Sequence, residues 1–263
     1  MTISKKNFMI ITMDINNIPP PTKLTGTEEK KPVMNLQGSN IVSEFFSETV
    51  SYFDLDGTEI DEVYGKLNIE KHMANLSIGL PGIEHIEKNK KYIKIEHCSL
   101  TPNKIIKFEQ GGEKEENYRK LVKCKFYIFE NFCAAMGDSK AIKNTALFLS
   151  EILTIEIMPL IPTELAMINL LNRFSTIESV TCDRIRHSNI KKMTVSGKAT
   201  DIVDFDIKFP AYDVASIHGK LNTGIDERRI KITKTGKISF YKHKDNPIYT
   251  EHIEFGFNLL AGE

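Results

Sequence analysis

No two of the four cysteines form a CxxC pair: Cys98, Cys124, Cys133 and Cys182 are widely spaced. That spacing excludes a zinc ribbon or a thioredoxin-type couple, and buried structural thiols in a reducing compartment are the expectation. No stretch approaches the roughly 18 consecutive apolar residues that span a bilayer, so no direct membrane insertion is expected. No apolar run with a small-residue cleavage site opens the chain, which makes the cytoplasm the expected location. Net charge is also absent, with 35 basic and 35 acidic residues, so the whole molecule is not an obvious polyanion binder. GxxxxGK[ST], GxGxxG and GxSxG are all missing, which removes the familiar phosphate-cradling loops and the nucleophile elbow. There is no repeat at solenoid period and no heptad pattern. No cofactor is expected.

A chain of 263 residues can bury a sizeable core as one large domain or two modest ones. Short β-prone segments dominate the first half. Asn7 to Ile18 reads as a strand, and three prolines from Pro19 open a loop, because proline continues neither a sheet nor a helix. "EQGGEKEENYRK" (Glu109 to Lys120) is glycine-containing and charged, and suggests a boundary between a β-rich domain at 1–112 and an α+β domain at 113–263.

Beyond it, "LVKCKFYIFENFCAAMG" reads as a strand or hairpin. Asp138 or Ser139 can then cap a helix carrying Ile142, Ala146, Leu149 and Leu153 at helical spacing. "TIEIMPL" reads as a strand, "PTELAMINLLNRF" as a helix with Leu165, Ile168, Leu170 and Leu171 on its apolar face, and "STIESVTCDRI" as a strand. Strand, helix, strand, helix, strand over about 121–186 gives an α+β fold, with mixed or antiparallel sheets and helices packed on one face. Further on, "YDVASIHGKL" reads as a short helix, "RRIKITKTGKISFYKHK" as a hairpin turning at Thr235-Gly236, and "IEFGFNLL" as an edge strand.

"YFDLDGTEIDEV" (Tyr52 to Val63) contains Asp54-Leu55-Asp56-Gly57-Thr58, the DxDGT signature of haloacid-dehalogenase-type phosphatases. There the first Asp is the nucleophile, at the C-terminal end of the opening strand of a doubly wound sheet. The companion acidic motif is not completed, since its second carboxylate would fall at Ile142. Asp56-Gly57 between β-prone segments is the favoured two-residue hairpin turn, and that is the expectation. "DFDIKF" offers Asp206 and Lys208 as half of a Mg²⁺-dependent nuclease site, with Asp183 as a further carboxylate. No metal site is expected from His97-Cys98 or from Cys182 and His187, which strand parity sends to opposite faces.

Charge is distributed unevenly. Asp183 to Lys244 holds fourteen Lys/Arg against seven Asp/Glu, an electrostatic footprint suited to phosphate backbones. The candidate nucleic-acid contacts are Arg184, Arg186, Lys191, Lys192, Arg228, Arg229, Lys231, Lys234 and Lys237, with Phe240 and Tyr241 near the basic hairpin. Such contacts position DNA or RNA without reading its sequence. A binding role therefore stands beside a nuclease at Asp206 and Lys208 and beside a protein-interaction module.

"YFDLDGTEI", "YIFENFCAAMGDSKAIKNTALFLSEIL", "TIEIMPLIPTELAMINLLNRF" and "IESVTCDRI" together resemble the RexA-type phage-exclusion proteins of lambdoid phages. The order of their elements is also similar to that of KwaB-like defence proteins. The resemblance implies a cytoplasmic, DNA-associated, homodimeric protein of bacterial antiviral defence that acts with a second defence protein or a membrane partner. It brings no catalytic residues. The neutral net charge departs from what strong non-specific DNA binding would favour.

Overall fold

The computed structural model describes residues 41–43, 47–55, 57–75, 78–109, 112–183, 192–196, 213–241 and 247–262. They belong to two compact units, one formed by Thr49–Leu160 and the other by Met1–Glu48 with Ile161–Glu263. The fold is mixed α and β, with mostly antiparallel strand pairing and four α-helices among the described residues. The division expected at residue 112 lies instead within the ladder of two paired strands, where Glu109 pairs with Gly112.

The first described strand, β1 (Ile41–Ser43), belongs to the second unit. The Thr49–Leu160 unit is built on β2 (Ser47–Leu55), β3 (Gly82–Lys88), β4 (Ile93–Glu109), β5 (Gly112–Ile128), β6 (Phe132–Gly137) and β7 (Ile157–Pro159). Their spatial order is β3-β4-β5-β6-β2-β7, each pair antiparallel. Two helices, α1 (Ile60–Leu67) and α2 (Ser139–Leu153), supply Ile60, Val63, Leu67, Ile142 and Leu149 to a core shared with Phe53, Ile95, Phe126 and Ala135. Asp138 caps α2 by accepting the N–H groups of Lys140 and Ala141 at 2.8 and 3.3 Å, satisfying two of the donors a helix start leaves open.

The expected Asp56-Gly57 hairpin is not formed. Asp56 itself lies outside the described residues, and the chain passes from β2 into α1. Ile60, Val63 and Leu67 recur at three- and four-residue intervals and are all buried, so helical periodicity wins over the turn dipeptide. The phosphatase frame is also absent, because β6 and β7 both run antiparallel to β2 where that family requires a parallel doubly wound sheet.

The second unit contains α3 (Glu164–Leu171), β8 (Thr176–Asp183), β9 (Lys192–Val195), β10 (Asp213–Asn222), β11 (Glu227–Thr233), β12 (Lys237–Tyr241), β13 (Ile248–Tyr249) and α4 (Thr250–Ala261). Its sheet runs β9-β8-β10-β11-β12, and β1 pairs with β13. The inner face is apolar: Ile177, Val180, Val214, Ile217, Leu221, Ile230, Ile232, Ile238 and Phe240 are all buried.

Three expectations fail here for physical reasons. Residues 213–222 form β10 rather than a helix, with Val214, Ile217, Gly219 and Leu221 inward across two register shifts that blur the two-residue alternation. "IEFGFNLL" lies in α4, where Ile253, Gly256 and Leu260 fall on one buried helical stripe. Within α3 the buried residues are Met167, Leu170 and Leu171, while Leu165 is exposed. The series expected over 121–186 occurs in that order, but it is not one core, since α2 belongs to one unit and α3 to the other.

Candidate nucleic-acid interface

Strand parity decides which cations of the basic hairpin reach solvent. Along β11, Arg228, Ile230 and Ile232 are buried, and Arg229 and Lys231 point to the opposite, outer face. Across the sheet Lys220 pairs with Arg229, and His218 with Lys231, while Ser239 of β12 flanks Lys231 on its other side. Lys237 and Tyr241 share parity with Ser239. The outer face thus gathers Lys220, Arg229, Lys231 and Lys237 around two rings, His218 and Tyr241, whose centroids lie 5.3 Å apart. Phe240 is buried on the other side and has no part in it.

One carboxylate tempers this surface. Arg229 Nε donates to Glu178 Oε1 at 2.8 Å, and His218 Nδ1 lies 3.6 Å from Glu178 Oε2. Among the described residues no carboxylate reaches Lys220, Lys231 or Lys237 within ion-pair distance. Burial lowers the His218 pKa; Glu178 opposes that shift, and Arg229 and Lys231 reinforce it. The ring is therefore neutral near pH 7 and suited to stacking rather than to carrying charge.

Arg228 is a structural residue and not a phosphate contact. Its side chain is 0% exposed. Nη2 donates to Asp226 Oδ2 at 2.6 Å and to the Pro247 carbonyl at 3.0 Å, and Nε donates to Asp226 Oδ1 at 3.2 Å. The same carboxylate receives Thr223 Oγ1 at 3.1 Å and His252 Nε2 at 3.3 Å. His252 Nδ1 accepts the Tyr249 N–H at 3.0 Å, which fixes Nε2 as the protonated nitrogen. Burial alone would raise the Asp226 carboxyl, but the bonds from His252 and Arg228 hold it well below the usual carboxylate range. The cluster ties the β10–β11 turn to the start of α4.

Lys234 is likewise engaged. It sits in the β11–β12 turn with Nζ 3.0 Å from both Asp183 and Asp213, which are opposite residues of β8 and β10. The hydrogen bonds it donates to Asp213 and then to Asp183 raise its pKa. Asp183, a candidate metal ligand in the sequence, is thus an ion-pair partner. Lys192 is exposed at the start of β9, opposite Asp183. Arg184, Arg186, Lys191, Asp206 and Lys208 lie outside the described residues.

Other chemistry is sparse. Among the described residues no group of three His, Cys, Asp or Glu side chains could hold a metal ion. All four cysteines are buried, and burial pushes the Cys133 and Cys182 thiols up to about 12. In the Thr49–Leu160 unit a buried chain runs from His97 Nδ1 to Thr145 Oγ1 at 2.8 Å and on to Cys124 Sγ at 3.0 Å. Burial drives the His97 pKa down to about 4 and the Cys124 thiol up to about 11, so neither is a nucleophile or base near pH 7.

Sequence reading missed His218, Lys220 and Glu178 as members of the face. The first two stood in a segment taken for a helix. The parity signal for Arg228 was present, since a strand through "ERRIKIT" must put Arg228 with Ile230 and Ile232. A scan against protein-family models and a search of curated proteins both find no match to this chain.

Proposed function

We propose that the chain is a non-enzymatic nucleic-acid-binding protein, a sensor or regulator in bacterial antiviral defence, whose contact surface is the outer face of β10, β11 and β12. The observation that carries the reading is the combination on one sheet face of Lys220, Arg229, Lys231 and Lys237 with the adjoining rings of His218 and Tyr241. Cations at strand spacing follow a phosphate backbone, and half-buried rings on a sheet face leave part of their surface for stacking against unpaired bases. The defence role rests on the resemblance to RexA-type proteins.

Fluorescence anisotropy with labelled single- and double-stranded DNA and RNA, titrated with salt, tests this. Binding that weakens steeply with salt is expected. Arg229→Gln with Lys231→Gln should flatten the log–log salt dependence by about one to two phosphate contacts, with Lys231 carrying the larger share because Glu178 already engages Arg229. No binding at low salt would overturn the proposal. Repeating the titration with Mg²⁺ while monitoring strand integrity separates a second outcome, because cleavage would shift attention to Asp206 and Lys208.

A further inference from the structure

Among the described residues, strand β5 leaves most of one edge open. Along the other edge it pairs with β4 from Gly112 to Ile128, but its pairing with β6 covers only Cys124 to Ile128. From about Leu100 outward, β4 and β5 therefore form a two-stranded ribbon roughly 30 Å long, at about 3.4 Å per residue. Both faces of its outer part are solvent-exposed, with Ile106 56% and Phe108 79% exposed. Lys104 and Lys107 make ion pairs with Glu115 and Glu116 across the ribbon, and Asn103 Nδ2 donates to the Tyr118 hydroxyl at 2.7 Å. A two-stranded ribbon gains independent stability only when further strands or a packing surface are added.

Charge on an open edge normally repels a second strand. Here the charges are segregated along the strand. The outer half of β5 carries Glu113, Lys114, Glu115 and Glu116, and the inner half carries Arg119, Lys120 and Lys123. Antiparallel pairing of such a strand with itself sets each acidic half against a basic half. A two-fold axis normal to the sheet keeps every side chain on its own face, so partner residue numbers must sum to an even value. Centring the axis on Tyr118 satisfies this. Tyr118 then meets its own copy, Glu116 lies opposite the second copy's Lys120, and Glu115 lies diagonal to its Arg119.

The open edge of β4 has no such complementarity, since its Lys104 and Lys107 find no acidic half to face. Nucleic acid is a poor occupant, because Asn103 to Lys120 holds five Lys/Arg against four Asp/Glu. We infer that the open edge of β5 binds a second copy of this chain, the two ribbons joining into one four-stranded antiparallel sheet about a two-fold axis at Tyr118.

Sedimentation velocity on the full chain tests this with two charge variants. Wild type should sediment as a dimer at micromolar concentration and dissociate as salt rises. Glu115→Lys with Glu116→Lys makes both halves basic, and Arg119→Glu with Lys120→Glu makes both acidic, so each variant alone should be monomeric. Mixed, they should form a 1:1 heterodimer, because every facing pair is then opposite in charge. Heterodimer formation also shows that both variants are folded. Lys104→Gln with Lys107→Gln removes only the ion pairs within the ribbon and should leave the dimer intact. A monomeric wild type, variants that stay dimeric alone, or folded variants by circular dichroism that fail to associate when mixed would each overturn the inference.

Discussion

Replacing Asp226 by Ala removes the carboxylate that meets Arg228 Nη2 at 2.6 Å, around a guanidinium that is 0% exposed. The Pro247 and Tyr241 carbonyls still accept from it, at 3.0 and 3.4 Å, but they carry no net charge. Breaking a buried pair by deleting one partner costs about 3–5 kcal/mol, and Thr223 and His252 lose their acceptor as well. In thermal unfolding followed by circular dichroism, the transition of the unit holding β8 to β12 should fall by roughly 10 °C. The double variant Asp226→Ala with Arg228→Met should lose less than the sum of the single losses, since the two side chains interact directly and removing both takes the buried ion pair out as a unit.

The pH dependence has a definite sign. The folded Asp226 carboxyl titrates below its unfolded value, so its stabilisation is fully present above about pH 4 and is lost as pH falls through the folded pKa. Asp226→Asn should abolish that acid-side loss. A loss for Asp226→Ala below about 1 kcal/mol, the scale of an exposed pair, would refute the reasoning.

Gly219→Ala should destabilise the same unit by about 1–3 kcal/mol, the scale of overpacking, because an added Cβ would sit 2.1 Å from the Thr176 carbonyl oxygen; chemical denaturation measures it. His97 is held neutral with a pKa near 4, so the protein should lose on the order of 3 kcal/mol as pH falls from about 6.5 to 4, and His97→Gln should flatten that segment of the stability–pH curve. The four thiols should resist Ellman's reagent in the folded protein and react fully in denaturant, and fast labelling of any of them in native buffer would contradict their burial. Lys234→Gln should change the salt dependence of nucleic-acid binding less than Lys231→Gln does, since Asp183 and Asp213 already neutralise Lys234.

Local signals carried far where one periodicity was clean. Asp138 and the series Ile142, Ala146, Leu149 and Leu153 specified α2, and all four apolar residues are buried. The turn before Gly236 was equally legible, since Gly236 takes φ +71° between β11 and β12. Reading failed where two patterns competed. Asp56-Gly57 suggested a turn, yet a short amphipathic helix follows it, and the register shifts of β10 hid its alternation. The candidate surface was legible as a charge excess but not as a geometry. Which of two adjacent arginines faces solvent is fixed by strand pairing, and the Asp226–His252 contact joins residues far apart in sequence. No local rule brings those two together.

The pairing of β1 with β13 has a consequence for synthesis. The chain of one unit begins before Thr49, is interrupted by the whole of the other unit, and resumes at Ile161. Ile41 waits for Tyr249. At about 5–20 residues per second, the ribosome spends several seconds between finishing Leu160 and releasing the partner strand. During that interval the interrupting unit has all its strands and both its helices available, whereas β1 of the interrupted one is still without its partner strand. Chaperone demand should therefore be concentrated late in translation. Substitutions that slow closure of the interrupted unit should lower yield from cells before they lower the melting temperature of the purified protein.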